Sequence, residues 1–226
     1  MMMIKKSNLV LVAFAAFFVA SLFAADRELA IQYHRIDLKD PFKNFGMVPV
    51  RPYKVLNISG GNSYTIRIER GTDYTIRLMN SRKQFFRMEQ HQDTLSINFT
   101  VSNQHYQLPE QCTTGLILTV AALAMIKTSG VNCELSGLEQ GSLLVKQEYK
   151  AILRMNDLRI SNLVIGGKDS STATFRGGNR TDTLCITLDQ GSSVDLGTLK
   201  ARNILAELKG NARLVITAAN LNNLVK

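Results

Sequence analysis

The sequence predicts an all-β protein, a single-stranded β-helix (β-solenoid) preceded by one N-terminal hydrophobic helix. Three features carry the prediction: an uncharged stretch from Ser7 to Ala25, period-two alternation from Tyr53 onward, and an aliphatic repeat of twenty residues in the second half.

Lys5 and Lys6 precede the uncharged stretch SNLVLVAFAAFFVASLFAA. A basic start, an apolar run and small residues before Asp26 are the parts of an export signal. The run approaches the ~20 residues that span a bilayer. Cleavage after Ala24 or Ala25 would place Leu22 or Phe23 where a small residue is preferred. Residues 1–25 are therefore expected to be a signal-anchor, with a cleaved signal peptide as the alternative. Residues 7–25 would cross the membrane and the two lysines would stay in the cytoplasm. The rest of the chain belongs in the cell envelope, either held at the membrane or released to the periplasm or surface.

The 27 Lys+Arg against 18 Asp+Glu give a formal charge of +9, but no run of basic residues forms an arm. Export and this thin spread exclude a nucleic-acid partner. Hydrophobic residues at 45% with only 4 Pro exclude wholesale disorder. Three cysteines without a Cys-x-x-Cys pair exclude a repeated metal framework and a disulfide-built fold.

Residues 26–52 hold three of the four prolines and are expected to be a linker. The β-solenoid domain is expected over 53–226. Tyr64-Thr-Ile66-Arg-Ile68 recurs as Tyr74-Thr-Ile76-Arg-Leu78, with apolar residues on one face and Thr and Arg on the other. Phe86-Arg-Met88 and Leu95-Ser-Ile97-Asn-Phe99 continue the alternation. Arg67, Arg77 and Arg87 form a candidate basic binding face, or else serve as solvated outward positions on strands.

Farther on, Leu184, Ile204 and Leu224 are spaced by twenty, as are Val194 and Leu214. Leu123, Leu143 and Leu163 keep the spacing, with one extra residue before Leu184. Small-residue turns recur at 129–135, 191–196 and 210–216. One such level cannot bury its own inward side chains. Stacking levels about 4.8 Å apart buries a continuous aliphatic column. A Leu-rich β-sandwich is the competing architecture, with turns at shorter intervals of roughly 8–12 residues.

The chain resembles a bacterial family of auto-transporter adhesins with a head GIN domain, common in Bacteroidetes. The resemblance rests on Tyr53-Lys-Val-Leu-Asn-Ile-Ser-Gly, the Tyr64 and Asp93-Thr-Leu-Ser-Ile strands, and the repeated turns. It implies a right-handed β-helix displayed outside the cytoplasm, and it names no binding residues.

No catalytic grouping and no cofactor motif is present. His34, His91 and His105 lie in polar surroundings, and no nucleophile elbow, P-loop or His-Glu-x-x-His occurs. Asp157, Asp169, Asp182, Asp189 and Asp195 keep a polysaccharide lyase or hydrolase in view, although Asp at turns serves the backbone. Asp93-Thr94-Leu95 and Asp182-Thr183-Leu184 resemble Bacteroidetes O-glycosylation sites, which would modify Thr94 and Thr183. Cys112 and Cys133 are twenty-one residues apart, so stacked levels would make them a disulfide or a buried thiol pair.

The expected function is non-enzymatic: an envelope-displayed adhesin or surface-organising protein. It would bind anionic glycan, lipopolysaccharide or a surface protein through weak multivalent contacts. The alternatives are the solenoid enzyme and an assembly module that associates end to end.

Overall fold

The computed structural model describes residues 6–35, 40–60, 64–100 and 113–224, with side chains of the first helix described at 12–31 and 33. The chain divides into two units, Met1–Asn44 and Phe45–Lys226. In the first, helix α1 runs Lys6–Arg35, ten residues beyond Ala25. Phe14, Phe17 and Phe23 are each 70% or more exposed on it. Among the described residues no helix is long and apolar enough to cross a membrane. The expected passage of residues 7–25 includes 7–11, whose side chains lie outside the described set.

Among its described residues the second unit is all-β apart from one 3-10 turn at Asn80–Phe85 and the short helix α2, Ala218–Leu221. A nine-stranded sheet has the order β1 (Phe45–Val48), β4 (Thr75–Met79), β7 (Thr114–Val120), β3 (Thr65–Arg70), β9 (Asn132–Ser136), β11 (Ile152–Asn156), β13 (Thr172–Arg176), β15 (Ser193–Asp195), β17 (Arg213–Val215). An eight-stranded sheet has the order β16 (Lys200–Leu208), β14 (Arg180–Leu188), β12 (Arg159–Gly167), β10 (Glu139–Glu148), β8 (Met125–Ser129), β2 (Val55–Gly60), β6 (Thr94–Phe99), β5 (Phe86–His91). Strand β1 lies within the segment expected to be linker.

From β8 onward the chain alternates between the sheets, and each strand pairs in parallel with its counterpart one level on. Leu143, Leu163, Leu184 and Ile204 stand in register, as the twenty-residue spacing predicts, and Leu224 bridges to Ile204. The four are at most 1% exposed, and each contributes roughly 2 kcal/mol of burial. Gly130, Gly191 and Gly210 adopt φ of +64°, +74° and +60° at the repeated turns, a region that glycine enters without steric cost. The column stops one level short of the expected Leu123. Leu144 pairs with Met125, a step of nineteen, and Leu123 precedes the strand with its N–H donated to Gln140 Oε1 at 3.0 Å.

The first half departs from a single uninterrupted coil. The Tyr64 and Tyr74 segments become β3 and β4, but β7 lies between them, parallel to β3 and antiparallel to β4. Strands β5 and β6 form an antiparallel hairpin, with Gln92 at φ +49° in its turn. Strand β2 pairs in parallel with both β6 and β8, and β3 pairs with both β7 and β9. The level made of β2 and β3 thus sits between two levels that follow it in sequence. Residues 121–124 cross that level, held where Ala124 and Met125 donate to Lys54 O and Tyr74 Oη donates to Ala122 O. Both sheets are therefore mixed, parallel through the stack and antiparallel at the β1 and β5 ends. The reason is that the excursion from Gly71 to Val120 folds back over the open side of the first level.

Candidate functional site

In the eight-stranded sheet the second-half strands change phase. Along β12 the exposure alternates, then Ser161 and Asn162 are exposed in succession before Leu163 is buried. The ladder skips one residue per strand at this point: Gly141, Ser161, Asp182 and Arg202 have no register partner. Two outward residues in a row turn the strand through a corner, as a bulge does. The residues before the corner therefore form a short face of their own.

That face carries a charged row. Glu139, Arg159, Arg180 and Lys200 are successive register partners on β10, β12, β14 and β16, so their side chains project from one line. The next positions inward are Ile160, Thr181 and Ala201, each buried, which form a smooth floor. The corner residues Ser161, Asp182 and Arg202 supply the opposite wall. Together these residues enclose a groove of about 690 Å³. A smaller concavity of about 340 Å³, reaching Arg70, lies on the other side of the Arg159–Arg180 wall.

The charges in the groove are unequal. Its carboxylates both have cationic partners: Glu139 with Arg70 at 2.6 Å and Asp182 with Arg202 at 3.4 Å. Arg159, Arg180 and Lys200 have no carboxylate partner among the described residues. Three exposed cations on neighbouring strands, about 4.8 Å apart, repel one another and favour an anion lying against them.

Arg159, Arg180 and Lys200 were not singled out from the sequence. Their signal is the same repeat that marks the aliphatic column, since each stands four residues before Leu163, Leu184 or Ile204. Hydrophobic periodicity reads only the inward positions and passes over a repeated exposed cation.

The expected basic face is divided between the sheets. Arg67 and Arg77 share a row of the nine-stranded sheet, on either side of Ile117, whereas Arg87 lies on β5 of the other sheet. Arg67 meets Glu69 at 3.2 Å and Glu134 at 3.9 Å. Ile117 is only 4% exposed although it shares the outward face of its arginine neighbours, as the apolar stems of flanking arginines would bring about.

Thr94 opens β6, half-buried beside Val55. Thr183 is half-buried in a polar row with Ser142, Asn162 and Asn203. Cys112 lies outside the described residues. Cys133 is a free, fully buried thiol whose pKa burial pushes up to about 12. His91 is exposed at the end of β5, and the side chains of His34 and His105 are outside the described set. Among the described residues no three His, Cys, Asp or Glu side chains are grouped to hold a metal ion. Three of the five aspartates serve turns: Asp157 accepts from Gly178 N, Asp189 from Gln190 N and Asp195 from Gly197 N.

No family model matches this chain, and no curated protein does. Solved structures do. A "putative adhesin" from Bacteroides fragilis superposes with a TM-score of 0.59 at 12% identity, covering 77% of this chain and 80% of its own. The fold is shared. A "putative lipid binding protein" and a "putative adhesin" from Parabacteroides distasonis match at TM-scores of 0.46 and 0.45, with 10% and 14% identity. They cover 75% of this chain each, and 80% and 79% of their own.

Proposed function

We propose that this is a non-enzymatic, adhesin-like protein of the cell envelope that holds anionic surface molecules by several weak ionic contacts. The observation that carries the proposal is the groove, where three cations without carboxylate partners line one wall. The stacked levels are taken as a right-handed β-helix of the head GIN type over 53–226, with 26–52 leading into it. Residues 7–25 tether it to the membrane, so that the folded unit faces out of the cytoplasm. The exposed apolar residues Phe14, Phe17, Phe18, Val19, Leu22 and Phe23 on α1 support a tether, because a helix apolar on all sides needs an apolar medium. Arg67, Arg77 and Arg87, on two sheets, add diffuse positive charge rather than a site.

A glycan hydrolase working through a carboxyl pair would need both groups free to exchange a proton within reach of one bond. Both carboxylates of the groove are instead held by arginines. The test is binding of the purified full chain to acidic glycans in a neutral detergent, against neutral dextran, and to anionic phospholipid vesicles without detergent, against neutral phospholipid vesicles. Binding to either anionic class that weakens as salt rises is expected. Equal binding to neutral dextran, or none to any anionic probe at low salt, would overturn the proposal.

End-to-end self-association has one supporting observation. In the last level Leu208 and Val215 are each 45% exposed, whereas Leu188, the register partner of Leu208, is 1% exposed. Part of β16 is closed by the C-terminal segment: Asn220 and Asn223 side chains donate to Leu199 O and Ala201 O, and Ile204 donates to Asn223 O. Among the described residues no further strand pairs with β16 beyond that point. Sedimentation across a concentration series checks it, and an unchanged monomer removes it.

A further inference from the structure

We propose that the groove takes a linear acidic polysaccharide laid across the strands, along the direction in which the levels stack, and not an isolated anion. The proposal rests on the anion-binding function put forward above and specifies its ligand. The first argument is the line of the charges. Arg159, Arg180 and Lys200 are register partners on three adjacent strands, so they are set about 4.8 Å apart at right angles to those strands. They stand side by side and do not converge on a point, as donors around one phosphate or carboxylate would. A row of this kind matches a chain that bears negative groups at regular intervals.

The second argument is the shape and chemistry of the groove. It is concave, bounded by the charged row on one side and by Ser161 and the Asp182–Arg202 pair on the other. A bilayer surface is too flat to bring its headgroups to the floor of such a trough. The lining holds no aromatic residue, and stacking platforms are what a single-stranded nucleic acid needs. It does hold neutral polar groups suited to sugar hydroxyls, with Ser161 exposed on the wall.

The third argument is the ends of the row. At one end Glu139, engaged by Arg70, closes it with a negative group. At the other, the C-terminal segment lies against β16 beside Lys200, where Asn220 donates to Leu199 O and Asn223 to Ala201 O, so the row spans three levels. Affinity should therefore climb with chain length until the three cations are covered, then level off.

The experiment titrates the full chain with galacturonate, with oligogalacturonates of three and six units, and with anionic phospholipid vesicles at fixed low salt. The expected result is an affinity at least tenfold higher for six units than for one. Arg180→Gln should lower the six-unit affinity about fivefold and flatten its salt dependence by about one unit of slope, as the loss of one released counterion requires. The triple variant Arg159→Gln, Arg180→Gln, Lys200→Gln should lose the length dependence altogether. The double variant Arg67→Gln, Arg77→Gln should keep it. All these side chains are on the surface, and an unchanged melting temperature shows that each variant folds. If six units bind no better than one, the polysaccharide proposal fails while anion binding stands. If the oligosaccharides do not bind and the triple variant loses binding to the vesicles, the ligand is a lipid surface and the proposal also fails. If none of the anionic probes binds, both proposals fall together.

Discussion

The levels from Met125 to Leu224 and the region from Phe45 to Val120 contribute strands to the same two sheets but close their cores differently. The later levels advance by nineteen to twenty-one residues, and an aliphatic side chain covers its equivalent on the next level. The earlier region has no repeat, contains the antiparallel pairs, and is filled with rings. Tyr64 packs edge-on to Phe99 at 4.7 Å, Phe86 lies 5.6 Å from Phe99, and Tyr53 meets Tyr74 at 5.1 Å. A periodic stack presents the same residue at every level, so each addition is solved once. Its first level has no predecessor to cover it, and large rings and folded-back hairpins fill that end. The difference teaches that starting a stack is a separate packing problem from extending it.

Several substitutions would break or sharpen this comparison, in descending order of effect. Phe99→Ala removes the ring that two others contact and should cost about 4 kcal/mol. Limited proteolysis should then begin between Phe45 and Val120, and first cleavage among the later levels would contradict the division. Leu163→Ala, in the middle of the column, should cost about 3 kcal/mol, whereas Leu208→Ala on the half-exposed last level should cost under about 1 kcal/mol. Equal losses in chemical denaturation would mean that the end level is covered in solution.

Gly197→Ala tests a turn of the repeating part. Its φ is +43°, and an added Cβ would fall 2.3 Å from Phe175 O, so a loss of about 2 kcal/mol is expected. A variant as stable as the parent would show that this turn yields.

The smallest effect near neutral pH comes from Cys133. Its folded pKa is raised, so between the ordinary value near 9 and about 12 the unfolded chain loses its proton first. Stability from this group is intact below pH 9 and declines above it, by up to about 1.4 kcal/mol per pH unit. Denaturation at pH 8 and 10 with a Cys133→Ala variant checks the sign. In the native protein at pH 8 this thiol should resist alkylation, while half-exposed Cys185 reacts.

Legibility in the sequence followed the same division. Val194 and Leu214 were paired by their spacing, and so were Leu163 and Leu184, because inward aliphatic residues must recur at the period of the stack. Tyr64-Ile66-Ile68 and Tyr74-Ile76-Leu78 were recognised as strands, yet their separation by β7 was not foreseeable. Strand edges offer the same backbone donors and acceptors to any partner, so alternation fixes which face is buried without naming the neighbour. The groove was overlooked because Arg159, Arg180 and Lys200 repeat on the solvent side. Each looks like an ordinary charged surface residue until the register lines them up.

By itself the sequence determined that the chain is all-β and that aliphatic residues after Leu143 recur about every twenty residues, since inward side chains must repeat at the period of a stack. The tertiary structure decided where the excursion from Gly71 to Val120 returns. Gly115 is the extra residue where β7 loses step with β3, and a Cβ there would meet the Tyr64 ring at 2.7 Å. That fit between a bulged glycine and a ring fifty-one positions earlier places β7 beside β3. It is a matter of shape between distant residues, and local pattern holds no record of it.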